Sequence, residues 1–363
     1  MRELFGRLGR QLLFGFDPET AHGLSIAALK SGVPLCPRFP HDRRLAVTVA
    51  GMECPNPLGM AAGYDKNAEV PGALLALGFG FAEIGTVTPL PQAGNPRPRI
   101  FRLTEDAAVI NRLGFNNKGH EAALKRLEAR GGRSGVVGVN IGANKDSADR
   151  IADYVLGARR FARLASYLTV NISSPNTPGL RNLQSRDALR ELLVRVRDAR
   201  DEAVSGSSKR TPIFLKIAPD LSEMELGEIA QEILSNKIEG VIVSNTTLSR
   251  AGLKSRSAAE AGGLSGAPLF PRSTAVLARM RRLLGPEVAI IGVGGVDSTE
   301  TAIEKIRAGA DLVQLYTGMI YAGPGLPGRI VRGLSEFADR QGLESIAALR
   351  DSATDEWAAR PID

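Results

Sequence analysis

The sequence is poor in the residues from which disulfide frameworks and metal centres are built. Its 363 residues include two cysteines, Cys36 and Cys54, and three histidines, His22, His41 and His120. Two cysteines give no disulfide framework, and the histidines lie too far apart along the chain for metal-ligand spacing. We therefore expect a protein of a reducing compartment that holds no metal.

Long apolar runs and dense basic tracts are also missing. No apolar run approaches the roughly 18 residues needed to cross a bilayer, and the first residues lack the apolar core and cleavage site of a secretory signal. The formal charge of +7 permits acidic partners. No Lys/Arg tract or nucleic-acid motif accompanies that charge, so we expect no nucleic-acid partner. The Arg-rich amphipathic start also resembles a mitochondrial presequence, which leaves an organellar origin open.

The amino-terminal residues predict two short amphipathic helices. The first is predicted over Met1 to Phe16, and the second begins after the capping residue Asp17 and runs to about Lys30. Such helices either pack on the following domain or form a patch that lies on a membrane surface. We predict a helical extension over residues 1–40 and one larger domain over residues 41–363.

After a hairpin predicted around Ala50 and Gly51, eight strand-like apolar runs alternate with helical patterns. This alternation indicates an α/β fold, specifically a (β/α)8 TIM barrel. A doubly wound parallel sheet is the alternative, because short buried strands look alike in both folds. Two connections are unusually long, Thr88 to Arg112 and Ser173 to about Ser185, and long loops are often functional. The predicted strands are Leu58 to Ala62, Phe81 to Val87, Val136 to Ile141, Tyr167 to Ile172, Ile213 to Ile217, Gly240 to Ser244, Val288 to Val293 and Leu312 to Tyr316.

Amides, hydroxyls and lysines follow these strands, whereas histidines and carboxylate pairs do not. A glycosidase needs two carboxyl groups and metal-assisted hydrolysis needs ligands, so both reactions are disfavoured. What remains suits a planar, anionic ligand that is read by amide hydrogen bonds. Lys216 stands out because its neighbours in the run from Ile213 to Ile217 are all apolar, although a single lysine is more often a solvated surface charge.

Glycines after the last two strands indicate a phosphate site. Gly294 and Gly295 follow the seventh strand and Tyr316, Thr317 and Gly318 follow the eighth. In such barrels, backbone N–H groups at these two loops commonly hold a phosphate. A phosphate-bearing cofactor in an amide-lined pocket suggests a flavin barrel. A flavin needs positive charge near its N1 and O2 edge, which Lys216 would supply.

The segment from Asn171 to Arg181 is the most informative in the chain. A β-branched strand runs there into a cluster of hydroxyls, amides and prolines, and three polar side chains, Asn171, Ser174 and Asn176, are placed to face one ligand. Composition alone favours an ordinary Ser/Asn/Pro turn. Its place after the fourth barrel strand favours a ligand-binding loop instead.

Four segments together resemble the dihydroorotate dehydrogenase family, in the family's order and over nearly the whole chain. The helical prefix, and a serine at position 174 where the soluble branch has cysteine, make the chain similar to the class 2, quinone-linked branch. The segments are Ala61 to Asn67 (AAGYDKN), Asn111 to Asn117 (NRLGFNN), Asn171 to Arg181 (NISSPNTPGLR) and Ile291 to Val296 (IGVGGV).

The resemblance implies an FMN enzyme that oxidises (S)-dihydroorotate to orotate with a quinone as electron acceptor, the fourth step of de novo pyrimidine synthesis. It also implies a monomer that associates peripherally with the cytoplasmic side of a bacterial inner membrane, with the mitochondrial inner membrane as the alternative. The 1–40 extension would then form the access route for the quinone, and residues 41–363 the FMN-binding catalytic barrel.

Carried over residue by residue, the resemblance implies that Ser174 is the base that takes the C5 proton, while the flavin N5 takes the hydride from C6. FMN contacts are implied for Ala62, Gly63, Tyr64, Asp65, Lys66, Thr86, Asn140, Asn171, Lys216, Ser244, Gly266, Gly295, Tyr316 and Thr317. Substrate contacts are implied for Lys66, Asn111, Arg112, Leu113, Gly114, Phe115, Asn171, Asn176, Asn245 and Thr246. The implied polar end of the quinone tunnel comprises His22, Arg102 and Tyr316. The family often has threonine at the Ser244 position, and serine keeps the hydroxyl.

Two other functions remain open at this point. The first is a flavin barrel with fumarate or a nicotinamide as acceptor, which a cysteine in place of Ser174 or loss of the helical prefix would favour. The second is a catalytically silent FMN- or phosphate-binding protein at a membrane surface, against which the presence of Ser174, Lys66 and the asparagines argues.

Overall fold

A computed structural model describes residues 13–33, 41–131, 133–207 and 210–362. The first predicted helix, Met1 to Phe16, lies almost entirely outside the described residues, as does Cys36. In chain order, the strands are β1 (Val47–Val49), β2 (Met52–Cys54), β3 (Leu58–Met60), β4 (Phe81–Val87), β5 (Ile100–Leu103), β6 (Ala108–Asn111), β7 (Val136–Ile141), β8 (Tyr167–Asn171), β9 (Ile213–Ile217), β10 (Gly240–Val243), β11 (Gly263–Gly266), β12 (Ala289–Val293) and β13 (Leu312–Leu315).

Eight parallel strands close into a barrel, which confirms the predicted (β/α)8 fold class and excludes the open doubly wound sheet. The order around the barrel is β3, β4, β7, β8, β9, β10, β12 and β13. Closure comes from the last strand pairing with the first, with Val313 opposite Leu58 and Leu315 opposite Met60. The predicted bounds of β4, β7 and β9 coincide with the observed ones.

Barrel strands are buried on both faces, which is why the sequence signal is a continuous apolar run rather than an alternating one. All seven residues of β4 are buried, for example. Polar side chains that point into the barrel, such as Glu83 on β4 and Gln314 on β13, are therefore exceptions that need hydrogen-bond partners.

Helices lie between consecutive barrel strands, and their ends follow local capping signals. Asp17 accepts hydrogen bonds from the backbone N–H groups of Glu19 and Thr20, as its sequence position predicts. Ser222 and Glu225 form a reciprocal capping box. The helices are α1 (Pro18–Lys30), α2 (Pro71–Ala76), α3 (Gly119–Arg130), α4 (Arg150–Phe161), α5 (Arg186–Val204), α6 (Glu223–Ser235), α7 (Phe270–Leu284), α8 (Thr299–Arg307), α9 (Thr317–Ala322), α10 (Leu326–Gln341) and α11 (Thr354–Ala358).

Two antiparallel pieces are added to the barrel. The hairpin of β1 and β2 is the one predicted around Ala50 and Gly51. The second piece is a three-stranded sheet in the order β11-β6-β5, which we did not predict. Its strands are four residues long and β11 comes from a distant part of the chain, so no local periodicity announces it.

The carboxyl-terminal residues after Arg340, which carry no recognisable motif, pack against the barrel helices. The ring of Trp357 on α11 lies 5.8 Å from that of Phe270 on α7. Its indole N–H donates to the Glu304 carboxylate on α8 at 3.0 Å. This segment therefore packs against the barrel helices α7 and α8.

Helix α1 is held on the three-stranded sheet by a largely buried ion pair. The Arg99 Nη2 atom lies 2.6 Å from the Glu19 Oε1 atom, and the two side chains are 7% and 14% exposed. Arg99 also donates to the backbone carbonyls of Ala93 and Asn95, at 2.7 Å each. In the part of the chain that the structure describes, neither α1 nor any other helix is long and apolar enough to cross a bilayer.

We expect Glu19→Ala to loosen α1 while leaving the barrel intact. Truncating one partner of a buried charge pair costs about 2 kcal/mol or more, so hydrogen exchange over Pro18–Lys30 should quicken roughly 30-fold. Exchange over α5 serves as the internal reference, and Glu128→Ala, an exposed glutamate on α3, is the matched control. Equal protection of α1 in both variants would contradict this role.

Candidate active site

A single cavity of about 650 Å³ occupies the carboxyl end of the barrel and extends beneath α1. Most of the sequence-predicted site residues line it, although they come from many separate strands and loops. One end of the cavity is polar. The polar side chains there are Lys66, Thr86, Asn111, Asn171, Ser174, Asn176, Lys216, Ser244, Asn245, Thr246 and Thr317.

The loop after β8 brings three predicted side chains, Asn171, Ser174 and Asn176, to the same cavity. Ser174 is 6% exposed, and its hydroxyl oxygen accepts a hydrogen bond from the backbone N–H of Asn176 at 3.3 Å. Arg181 holds the base of this loop, because its guanidinium donates to the backbone carbonyls of Ser173 and Thr246 at 3.1 and 3.2 Å. The segment is thus a buried, fastened loop rather than a free turn.

The asparagines of the cavity are linked by hydrogen bonds. Asn171 Nδ2 donates to Thr86 Oγ1 at 3.0 Å, and Asn245 Nδ2 donates to Asn171 Oδ1 at 3.3 Å. On the opposite side, Asn176 Nδ2 donates to Asn111 Oδ1 at 3.3 Å. These contacts fix the positions of the amides before any ligand enters, which is the arrangement that recognition of a planar polar molecule requires.

Two lysines give the polar end positive charge at a cost of desolvation. Burial lowers the pKa of Lys66 to about 8. Burial also lowers the pKa of Lys216, while the nearby Glu83 carboxylate raises it. An anionic ligand would restore to these ammonium groups the favourable interactions that burial removes.

Glycines form a wall from which side chains are sterically excluded. Gly295 has a φ of +74°, and a Cβ atom built on it would lie 2.4 Å from the Cβ of Phe270. At Gly294, with a φ of +114°, a Cβ would lie 2.7 Å from the hydroxyl of Ser273. Gly266 and Thr317 line the same region, so backbone groups rather than side chains face the cavity there.

The part of the cavity beneath α1 is apolar, with an aromatic cluster at its polar margin. The rings of His22 and Tyr64 lie 5.2 Å apart, and those of Tyr64 and Tyr316 lie 5.6 Å apart. Arg102 donates to the backbone carbonyls of Leu13, Phe14 and Phe16. The apolar lining includes Leu13, Phe14, Pro18, Ala21, Leu29, Ile100 and Val109.

Three predicted site residues lie off the cavity. The Asp65 carboxylate accepts hydrogen bonds from the backbone N–H groups of Glu69 and Val70 and so holds the conformation of the loop between β3 and α2. Asn140 lies deeper in the barrel, where its amide bonds to Glu83 and Thr86. Arg112 points away and donates to the Glu260 carboxylate at 2.7 Å.

Leu113, Gly114 and Phe115, which follow Arg112, line the cavity, as do Ala62, Gly63 and Tyr64. Besides apolar residues, the lining includes polar residues that were not predicted, namely Ser25, Asn116, Ser265, Asp297 and Tyr321. Asn116 lies within a recognised motif, whereas Ser265 comes from β11, a strand that carried no sequence signal.

The fold and the cavity define a (β/α)8 barrel with a buried, cationic and amide-rich site, and comparisons with known proteins narrow this class. The dihydroorotate dehydrogenase family profile matches residues 44–338. A "Dihydroorotate dehydrogenase (quinone)" from Mesorhizobium japonicum is 70% identical over 357 residues, 98% of each chain. Its namesake from Brucella ovis is 68% identical over 363 residues, all of both chains.

Solved structures agree with the sequence comparison. DHODH from Eimeria tenella, crystallised in complex with ferulenol, matches with a TM-score of 0.88 at 40% identity, covering 95% of this chain and 96% of that chain. The chain therefore belongs to the dihydroorotate dehydrogenase family. Within the family it falls in class 2, the quinone-linked branch.

We expect His22 to stay neutral from pH 5 to pH 8. Burial, and to a smaller extent the positive charge of Lys66, lowers its pKa to about 3. The ring nitrogen shifts in ¹⁵N NMR should therefore be constant over that range, with the urea-unfolded chain as the titrating reference. As pH falls from about 6.5 toward 3, the unfolded state takes up a proton at His22 that the folded state does not, so the unfolding free energy decreases. A midpoint near 6.5 in the folded protein would contradict this environment.

Proposed function

We propose that this protein is a quinone-dependent dihydroorotate dehydrogenase, EC 1.3.5.2, which oxidises (S)-dihydroorotate to orotate in the fourth step of pyrimidine biosynthesis. The observation that carries the proposal is the single cavity that joins a cationic, amide-rich end containing Ser174 to an apolar end beneath α1. Such a cavity suits a polar substrate at one end and an apolar electron acceptor at the other. The family membership of full-length relatives supports the same activity.

The residues present fit FMN as the cofactor. Lys216 is 5% exposed, and its ammonium group has no hydrogen-bond partner among the described residues, so it suits the electron-rich edge of a flavin. The wall at Gly266, Gly294, Gly295 and Thr317 leaves backbone groups free to approach a phosphate. When bound, FMN would supply the redox chemistry of the site by accepting a hydride at N5. Asp65 and Asn140 would support the site from behind rather than touch the cofactor.

Substrate binding falls to the lysine and amides of the polar end. Lys66 would pair with the substrate carboxylate, which suits an ammonium group destabilised by burial. The ring amides of the substrate would form hydrogen bonds with amide and hydroxyl side chains, and the segment Leu113 to Phe115 would form one wall of the substrate site. These side chains are Asn111, Asn171, Asn176, Asn245 and Thr246.

Ser174 is proposed as the base that removes the C5 proton. A serine hydroxyl is a weak base at its free pKa, and among the described residues neither an imidazole nor a carboxylate is hydrogen-bonded to it. The proton therefore has to leave through a relay, for which a water molecule is the simplest member. The buried loop that Arg181 fastens would keep bulk water out and hold the hydroxyl against the substrate.

The apolar end is proposed as the quinone site. His22 and Tyr316 lie at its polar margin, with Tyr316 OH 3.5 Å from His22 Nδ1. Arg102 binds the backbone of residues 13–16 and so forms part of the wall rather than an unengaged charge. The residues 1–40 would accordingly serve as the quinone-access extension of the catalytic domain, residues 41–363.

Membrane association is proposed to be peripheral, through the exposed side of the extension. Phe16, Leu24 and Val33 are 49%, 44% and 60% exposed, unlike the apolar residues of the barrel core. Large exposed apolar side chains near a cavity mouth suit an apolar acceptor that arrives from a bilayer. We propose a monomer on the cytoplasmic face of a bacterial inner membrane.

The function is tested by mixing the yellow protein with dihydroorotate without oxygen and then adding quinone. The wild-type flavin should bleach and then recover its colour. Ser174→Ala should remain yellow but bleach about 10²–10⁴-fold more slowly in a single turnover, because general-base catalysis is worth about that factor.

The matched control is Ser185→Ala, at the far end of the same loop, where the hydroxyl only donates to the carbonyl of Asn182. That variant should bleach at close to the wild-type rate. Near wild-type bleaching of Ser174→Ala would remove Ser174 from the mechanism, and a colourless wild-type protein would contradict the flavin assignment.

Deletion of residues 1–37 should separate the two half-reactions. Dihydroorotate should still bleach the flavin, because the polar end of the cavity belongs to the barrel, while recovery with quinone should be lost along with the apolar wall. A small soluble oxidant that needs no binding site should still reoxidise the deleted form. Unchanged quinone turnover after the deletion would refute the assignment of the extension.

A further inference from the structure

A carboxylate is buried inside the barrel below the polar end of the cavity. Glu83 on β4 has no exposed surface. Its Oε1 atom accepts from Asn140 Nδ2 at 2.7 Å, and its Oε2 atom accepts from Tyr167 OH at 2.9 Å and from Gln314 Nε2 at 2.8 Å. Strands β8 and β13 are not neighbours of β4, so these groups meet in the barrel interior. Neither Glu83 nor Asn140 lines the cavity.

A chain of hydrogen bonds connects this carboxylate to the cavity. Asn140 bonds to Glu83 through its Nδ2 atom, and its Oδ1 atom accepts from Thr86 Oγ1 at 2.6 Å. Thr86 Oγ1 in turn accepts from Asn171 Nδ2 at 3.0 Å. Thr86 and Asn171 both line the cavity, so the chain ends where the ligands are proposed to bind.

The direction of every bond in this chain follows from its buried end. Asn140, Tyr167 and Gln314 all donate to the Glu83 carboxylate, so the amide of Asn140 turns its NH₂ group toward Glu83 and its oxygen toward Thr86. The Asn140 oxygen only accepts, so the Thr86 hydroxyl must donate its one hydrogen to it. The hydroxyl can then only accept from Asn171, which must present its NH₂ group to Thr86.

The far end of the chain agrees with this direction. With its NH₂ group toward Thr86, Asn171 turns its oxygen toward three donors, which are Ser173 Oγ at 3.0 Å, the Ser173 backbone N–H at 3.4 Å and Asn245 Nδ2 at 3.3 Å. In the opposite orientation the NH₂ groups of Asn171 and Asn245 would face each other. The amide of Asn171 thus has one orientation, and its Nδ2 atom keeps a second N–H beyond the bond to Thr86.

We propose that Glu83 is a positioning residue whose buried carboxylate sets the direction of the Asn140 and Thr86 hydrogen bonds, and so leaves the Thr86 hydroxyl as the acceptor that Asn171 needs at the ligand-binding face of the cavity. The inference deepens the proposed function, on which it rests for the identity of the ligand. Glu83 also acts on Lys216: burial lowers the pKa of the Lys216 ammonium group, and the Glu83 carboxylate raises it.

Glu83→Gln tests the proposal because it keeps the size of the side chain but replaces the carboxylate with an amide, which donates as well as accepts. With its oxygen accepting from Tyr167 and Gln314, the introduced amide turns its NH₂ group toward Asn140. Asn140 would then reverse and turn its own NH₂ group toward Thr86, which already accepts from Asn171, so the Thr86 hydroxyl proton would lose its acceptor beside the ligand. Dissociation constants for orotate, measured by its perturbation of the flavin spectrum, should rise about tenfold, because a buried polar group is left without a partner.

The double variant Glu83→Gln/Asn140→Asp provides the rescue. The introduced aspartate accepts from the introduced glutamine and from Thr86, so the direction of the remaining chain is again that of the wild type. Orotate affinity should return to within about threefold of wild type. The melting temperature of the substrate-free protein should likewise be higher in the double variant than in Glu83→Gln. A purely steric role predicts the reverse, since two core changes would disturb packing more than one.

The matched control is Tyr167→Phe, which removes a donor to the same carboxylate without touching Asn140. It should lower stability but leave orotate affinity within about threefold of wild type. Glu83→Gln with wild-type affinity, or a double variant that binds or folds no better than the single one, would overturn the proposal. If Glu83→Gln does not fold, the double variant still has to fold and bind for the proposal to stand. Failure of wild-type protein to bind orotate would instead contradict the proposed function, and the order of melting temperatures would still test the polarity of the chain.

Discussion

Closure of the parallel barrel is the constraint on which the site depends. Every barrel strand runs in the same direction, and the pairing of β13 with β3 leaves no free edge. The carboxyl ends of all eight strands therefore form one ring. Lys66, Asn171 and Asn245, which are far apart in sequence, meet there because the barrel closes. The loop after β8 and the β11-β6-β5 sheet add the remaining walls, and α1 covers the apolar end.

Within that ring, desolvation and charge oppose each other. Burial lowers the pKa values of Lys66 and Lys216 because an ammonium group loses its hydration there. Such a site is poorly stabilised without an anionic ligand and gains when one enters. Glu83, which is buried beneath the cavity, raises the pKa of Lys216 and so opposes the effect of burial on that lysine. The amides between these charges, in contrast, are already hydrogen-bonded to one another and to Thr86, and so hold their geometry in advance.

Local signals in the sequence predicted the bounds of several barrel strands and the start of helix α1. The bounds of β4, β7 and β9 followed from burial on both faces, and the start of α1 followed from the cap at Asp17. The β11-β6-β5 sheet was missed because its strands are short and one partner is remote in sequence. Motif resemblance also could not separate a residue that lines the cavity from one that supports it. Asp65, Asn140 and Arg112 have the right type and spacing, yet each bonds to protein groups outside the cavity.

The sequence by itself determined the alternation of strands and helices and the inventory of groups at the strand ends, because both depend on residues close together in the chain. Only the tertiary structure decided which of those groups face the cavity and which way each amide points. The physical reason is that hydrogen-bond direction depends on the partner. Glu83 sets the direction for Asn140 and Thr86, whereas Ser173 and Asn245 set it for Asn171, and these groups, which lie on separate strands and loops, meet only when the barrel closes.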